Sequence, residues 1–258
     1  YIDLSDISIE EKDAQTENIA KKEINRGFNL QQDTLLRVIC VRLSDSISKI
    51  IWTMHHIIVD GWSMQILIED FEKYYKLFNA GKSKEAIKAE IDKEKFGTVK
   101  YSEYIAWLEK QDKMYAIEYW KKQLDGYEGV AAIEPVSDGE DIYETIRVLE
   151  RKFNKKTTNK LQELAKSIEV TMNTILETAW GIVLQWYNGT NDVVFGKVVS
   201  GRNADIAGIE KSVGLFINTI PCRVRSEKGV RVKDLLKERQ RKGLEETIHC
   251  FSSLAEIQ

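Results

Sequence analysis

The spacing of apolar residues along this chain alternates between continuous runs, a period near 3.6 and no period, and each change marks an element. Residues 9–27 are charged and almost free of breakers, with Ile19, Ala20, Ile24 and Phe28 at helical spacing, which predicts a surface helix. Two near-continuous apolar runs follow at 34–43 and 49–59, joined by Ser44-Asp45-Ser46. Runs of this kind predict strands buried on both faces, as in the middle of a helix-covered sheet. From Gly61 the helical period returns: Trp62, Ile66, Phe71, Tyr74, Tyr75 and Phe78 form one stripe that stops before Ala80-Gly81-Lys82. Residues 82–100 are highly charged and predict a solvated, partly helical connection, followed by helices near 101–110 and 113–124.

Periodicity fails over 125–144, where Gly126, Gly129, Pro135, Ser137, Asp138 and Gly139 cluster. This stretch marks a boundary between a first lobe at 1–128 and a second at 145–258, with 129–144 as the linker. The second lobe reads as a strand (145–153), a helix (158–168), a buried helix (173–187), two strands (192–200 and 214–225) and a basic helix (232–246). Strands and helices mix without strict alternation, repeats or low-complexity tracts. That order predicts an α/β protein of two sandwich lobes rather than a barrel or a doubly wound sheet.

Composition narrows the function more than the fold. The 258 residues carry 38 Lys and Arg against 41 Asp and Glu, so no basic field exists to hold nucleic acid. No apolar run approaches the roughly 18 residues of a membrane span. Tyr1-Ile2-Asp3-Leu4 has neither an initiating Met nor a signal-peptide layout and reads as the start of an excised piece. Cys40, Cys222 and Cys250 lack CxxC spacing, which speaks against zinc and disulfides and for buried free thiols in a reducing cytoplasm.

The candidate chemistry lies at the end of the second apolar run. Of only three histidines, two are adjacent, His55 and His56, and Ile57-Ile58-Val59 and Asp60-Gly61-Trp62-Ser63 follow. Histidine is the side chain whose ordinary pKa lies nearest neutrality. If the strand continues to residue 57, the two rings point to opposite faces, so they can neither act on one atom nor chelate one metal. One ring then faces the chemistry and the other supports the backbone; the spacing leaves open which. Asp60 stands where a helix N-cap belongs, worth about 1 kcal/mol; alternatively, its carboxylate pairs with an arginine and fixes the loop. Gly61 suits a turn or a close backbone approach. Trp62 and Ser63 open the helix, with Trp62 expected in the core.

The run HHxxxDGWS resembles the active-site signature of nonribosomal peptide synthetase condensation domains. Tyr101-Ser102-Glu103-Tyr104-Ile105-Ala106-Trp107 is similar to that family's Tyr-x-Asp-Tyr-x-x-Trp motif, with Glu103 in place of Asp. The strand at 192–195 leading to Ser200-Gly201-Arg202 resembles another. Val213-Gly214-Leu215-Phe216-Ile217-Asn218-Thr219 with Pro221 resembles a third, and His249 with Leu254-Ala255-Glu256-Ile257-Gln258 a fourth, Ser253 standing where Pro is common. All five occur in the family's order. The family's first motifs, including an arginine that pairs with the signature Asp, would precede Tyr1, and its last would follow Gln258. The resemblance thus implies the central part of a domain, poorly active or inactive alone and prone to associate through exposed sheet edges.

The resemblance also implies a chloramphenicol acetyltransferase-like α/β fold, a two-lobed sandwich incomplete at both ends, with a tunnel between the lobes. Donor and acceptor peptidyl carrier proteins would deliver phosphopantetheine thioesters, next to an adenylation domain. No cofactor would be bound by the domain itself, and the product would be an amide. Carried over, His56, His55, Asp60 and Gly61 are the catalytic group; Trp62, Ser63, Ser200, Gly201, Arg202 and Asn218 shape the tunnel or the structure. An epimerization domain of the same family is the first alternative, but its signature resembles HHxxxDGVSW, whereas Trp62 here precedes Ser63. A cyclization domain has aspartates in place of the histidines. A non-catalytic carrier-docking module and an acyl-coenzyme A acyltransferase complete the alternatives.

Overall fold

The computed structural model describes residues 1–95, 98–133 and 150–257. The chain divides into two compact units: Tyr1–Trp107 with Ala204–Phe216, and Leu108–Asn203 with Ile217–Gln258. Most of the expected linker, 134–144, lies outside the described residues.

In the first unit, α1 (Ile9–Arg26) starts at a capping box: Ser8 Oγ accepts the Glu11 N–H, and the Glu11 carboxylate accepts the Ser8 N–H. The short β1 (Ile2–Asp3) pairs parallel with β2 (Leu36–Arg42), which pairs antiparallel with β3 (Ser48–Met54). Arg37, Ile39, Val41, Lys49 and Ile51 share the face under α1, where Arg37 pairs with Glu23 at 2.7 Å and Lys49 with Asp13 at 2.8 Å. On the opposite face Trp52 meets Phe71 of α2 (Gly61–Asn79) edge-on at 5.7 Å. Leu36, Val38 and Ile50 on that face are 42%, 55% and 41% exposed. The two strands are therefore not buried on both faces. A continuous apolar run reports what a strand could bury, while cover depends on what packs there. Trp62 also departs from expectation, being 56% exposed rather than core.

α3 (Lys84–Lys95) lies within the charged stretch, and α4 (Tyr101–Glu109) and α5 (Lys113–Leu124) follow close to their expected bounds. In the second unit, β4 (Asp192–Val199) pairs antiparallel with β5 (Asn218–Arg225). α7 (Met172–Asn188) packs on that ribbon, α8 (Val232–Ile248) packs on α7 and adds Leu235 to the ribbon's apolar cluster, α6 (Lys155–Ser167) packs on α7, and the short α9 (Leu254–Ile257) packs with α5 and β5. Leu184, Val193, Cys222, Val224 and Leu235 form one apolar cluster. Beside it sits a charge-balanced set: Lys197 lies 3.4 Å from Glu177 and 3.1 Å from Glu246, and Arg239 pairs with Glu246.

Two expectations for this unit are corrected. α7 is only half buried, because Leu176, Trp180, Val183 and Tyr187 face solvent while Thr178, Gly181 and Leu184 face the ribbon. β5 begins at Asn218 rather than Gly214, because the backbone of 214–216 is engaged by the segment that follows the histidines. Of the expected strand at 145–153, residues 145–149 lie outside the described residues and 150–153 adopt no regular structure.

Candidate active site

β3 ends at Met54, so the histidines do not lie on a strand and the two-faces argument does not apply. His55 is instead the extended N-cap of a single 3-10 turn, His56–Ile58. Its Nδ1 accepts the Ile57 N–H at 3.1 Å, which places the proton of the neutral ring on Nε2. The His55 N–H donates to the Leu35 carbonyl at 3.0 Å, and the ring meets Phe28 edge-on at 5.9 Å. His55 is half buried, whereas His56 at the turn's outer corner is exposed. The backbone distinguishes the two rings: one is tied down, the other is presented.

Below the turn the chain plunges inward, with Val59 6% and Asp60 1% exposed. Asp60 Oδ1 accepts the Ser63 N–H at 2.8 Å, the expected N-cap of α2. Its Oδ2 accepts the Phe216 N–H at 3.0 Å, a partner 156 residues away. Ser63, fully buried, donates its hydroxyl to the Gly214 carbonyl at 2.9 Å and accepts the Gly214 N–H at 3.1 Å. The Asp60 N–H also reaches the Gly214 carbonyl, at 3.2 Å. The segment 214–216 thus spends its backbone polar groups on the histidine loop rather than on a strand ladder.

That segment is held from its other side as well. The Tyr101 hydroxyl donates to the Leu215 carbonyl at 2.8 Å, and its ring meets Phe216 edge-on at 5.1 Å. A Cβ at Gly214 would lie 2.2 Å from a Tyr101 ring carbon, so only glycine fits there. Burial, and then the nearby Asp60 charge, push the Tyr101 phenol above its ordinary pKa. Trp62 Nε1 donates to the Glu210 carbonyl at 3.2 Å, and Ser212 Oγ to the Val99 carbonyl at 2.8 Å. At Gly61 a Cβ would meet no other atom of the described residues within 4 Å.

The remaining candidates belong to the second unit. Gly201, with φ +65°, makes the left-handed turn after Ser200, whose Oγ accepts the Arg202 N–H at 3.2 Å. Asn218 Nδ2 donates to the carbonyls of Cys250 (2.8 Å) and Ser252 (2.7 Å), while its Oδ1 accepts the Thr219 N–H at 2.9 Å. It is a backbone-satisfying amide. His249 is 5% exposed and stacks on Tyr119 at 4.0 Å; burial lowers its pKa. Cys222 and Cys250 are buried free thiols and Cys40 is half buried. Among the described residues no cluster of three or more His, Cys, Asp or Glu could hold a metal, and no helix is long and apolar enough to cross a membrane.

The backbone of Gly214 and Phe216, together with Tyr101, is the part of the site that sequence reasoning did not assign. The Gly-Leu-Phe run was visible; that it anchors the histidine loop was not.

A family profile described as the Condensation domain matches residues 1–250. The chain belongs to the condensation-domain family. A mycosubtilin synthase of Bacillus subtilis is 39% identical over 99% of this chain and 10% of that protein. Bacitracin synthase 3 of Bacillus licheniformis is 37% identical over 96% of this chain and 4% of that protein. The chain therefore spans a tenth or less of these synthetases. Among solved structures, the first condensation domain of the calcium-dependent antibiotic synthetase matches with a TM-score of 0.67 at 17% identity, over 98% of this chain and 56% of that one. The EpoB cyclization-docking bidomain of Sorangium cellulosum matches with 0.75 at 17% identity, over 100% and 51%. These likenesses place this condensation-domain chain in the mixed α/β, chloramphenicol acetyltransferase-like fold.

Proposed function

We propose that this chain carries the reacting imidazole of a peptide-bond-forming acyltransferase, and that His56 supplies it. The observation that carries this reading is the contrast within the doublet: His55 is consumed as a turn cap, while His56 is exposed on a turn fixed from below by Asp60. In this reading the acceptor is an aminoacyl thioester and the donor a peptidyl or aminoacyl thioester, each on the phosphopantetheine arm of a carrier protein. An adenylation domain in the same synthetase charges the carriers. The three free thiols suit a reducing cytoplasm.

The chemistry asked of His56 is modest. The amine nitrogen attacks the donor carbonyl, a C–N bond forms and the C–S bond breaks, releasing a thiol. A free α-amino group has a pKa of about 7.7–8.0, so part of it is already unprotonated near neutrality. Attack generates an ammonium far more acidic than the starting amine, and the His56 imidazole accepts its proton or a hydrogen bond from it. General base help contributes about 10²–10⁴-fold. Holding two tethered reactants in line supplies about 7–11 kcal/mol, so positioning contributes more than proton transfer. His55, Asp60, Gly61, Trp62 and Ser63 form and seat the loop; Ser200, Gly201, Arg202 and Asn218 order the backbone of the second unit.

The test uses the complete synthetase with both carriers loaded and follows the elongated thioester on the acceptor carrier. His56→Ala is expected to lower the product-forming rate by about 10²–10⁴-fold while carrier binding persists. Carrier binding without product in the unaltered protein would instead identify a docking module.

A further inference from the structure

Within the first unit, the loop bearing the two histidines has no ladder hydrogen bond beyond Leu35 among the described residues, so other contacts must fix its height and angle. Ser63 is placed to do so. It is fully buried just past the loop's end, and its one hydroxyl engages both backbone groups of Gly214. Gly214 cannot drift, because Tyr101 packs against its bare Cα and bonds the next carbonyl. Asp60 adds a parallel link to Phe216. The histidine turn is thereby bolted to a strip of backbone that is itself bolted to α4.

We infer that Ser63 is a positioning residue for the reaction, acting through the Gly214 backbone to hold the His56 turn in register. This rests on His56 being the reacting group. Ser63 does not touch substrate; it sets where the imidazole stands. The hydroxyl is the active feature, since truncating it leaves the Gly214 N–H without its acceptor inside a fully buried site and frees the start of α2 to shift. A displacement of about an ångström at a reacting group costs on the order of 10²-fold in rate.

A double-mutant cycle in the complete synthetase tests this, measuring single-turnover amide formation with loaded carriers for the unaltered protein, Ser63→Ala, His56→Ala and the pair. Ser63→Ala is expected to lose about 10–10²-fold in the chemical step, with half-saturation by the acceptor carrier unchanged. In the His56→Ala background the same substitution is expected to cost almost nothing, because the imidazole it positions is gone. An equal loss in both backgrounds, or no loss in either, overturns the inference. Tyr101→Phe, which removes only the bond to Leu215, serves if Ser63→Ala does not fold: a smaller loss confined to the background that retains His56 supports the same linkage, and a background-independent loss refutes it. If His56→Ala itself retains the full rate, the reading of His56 fails separately from the cycle.

Discussion

At the residue scale, the two members of the histidine doublet are distinguished by hydrogen bonding rather than by sequence. Adjacent letters carried no sign of which ring would be spent on a cap. The exposed Ile57 and Ile58 made the turn look like more strand. Asp60 was half legible: its N-cap bond to Ser63 is local and readable, whereas its bond to Phe216 depends on a contact that only folding creates. The third histidine provides a test of its own. His249 is buried against Tyr119, its Nδ1 has no hydrogen-bond partner among the described residues, and burial lowers its pKa. The unfolded chain therefore binds a proton at a higher pH than the folded one does, and stability rises with pH across that window. His249 imposes no penalty above its ordinary unfolded value of about 6.5, and stability declines as pH falls below it. His249→Phe, which keeps the stacking, is expected to flatten the loss of urea stability between neutral and mildly acidic pH. An unchanged slope would exclude this origin.

At the element scale, helices were legible because one covered face is enough to impose a 3.6 period, and α2, α5 and α8 fall close to their expected bounds. Strand ends were not. The run 214–217 is continuously apolar like a strand, yet backbone groups of 214–216 are taken by Ser63, Asp60 and Tyr101. The contact between α7 and β5 is closer than sequence could suggest: a Cβ at Gly181 would lie 2.6 Å from Val224. Gly181→Ala is expected to destabilise the second unit by about 1–3 kcal/mol, read as a lower denaturation midpoint. Adding Val224→Ala should restore part of it. Full stability of the single variant would mean that the helix stands off further than described.

At the scale of the whole molecule, the chain corresponds to a little over half of solved condensation-domain structures, and it leaves apolar faces open. Leu36, Val38 and Ile50 lie on one sheet face of the first unit, and Leu176, Trp180 and Tyr187 along α7 in the second. Patches of this kind bind other surfaces. The 258-residue chain by itself is expected to associate at micromolar concentration in sedimentation runs. A monodisperse monomer would show that these faces are tolerated in water. Fold class and family were legible because five motifs fall in order along the chain. The segment 204–216 lies between two strands of the second unit and yet packs with the first, a contact that no local pattern encodes.

The most direct measurement compares His56→Ala with His55→Ala in the complete synthetase, reading rapid-quench amide formation beside thermal unfolding. His56→Ala should lose about 10²–10⁴-fold in rate with its unfolding temperature unchanged, while His55→Ala, which removes the cap on the turn, should lower the unfolding temperature as well as the rate. The reverse pattern, with His56→Ala destabilised yet fully active and His55→Ala folded but inactive, would contradict the assignment of the reacting imidazole.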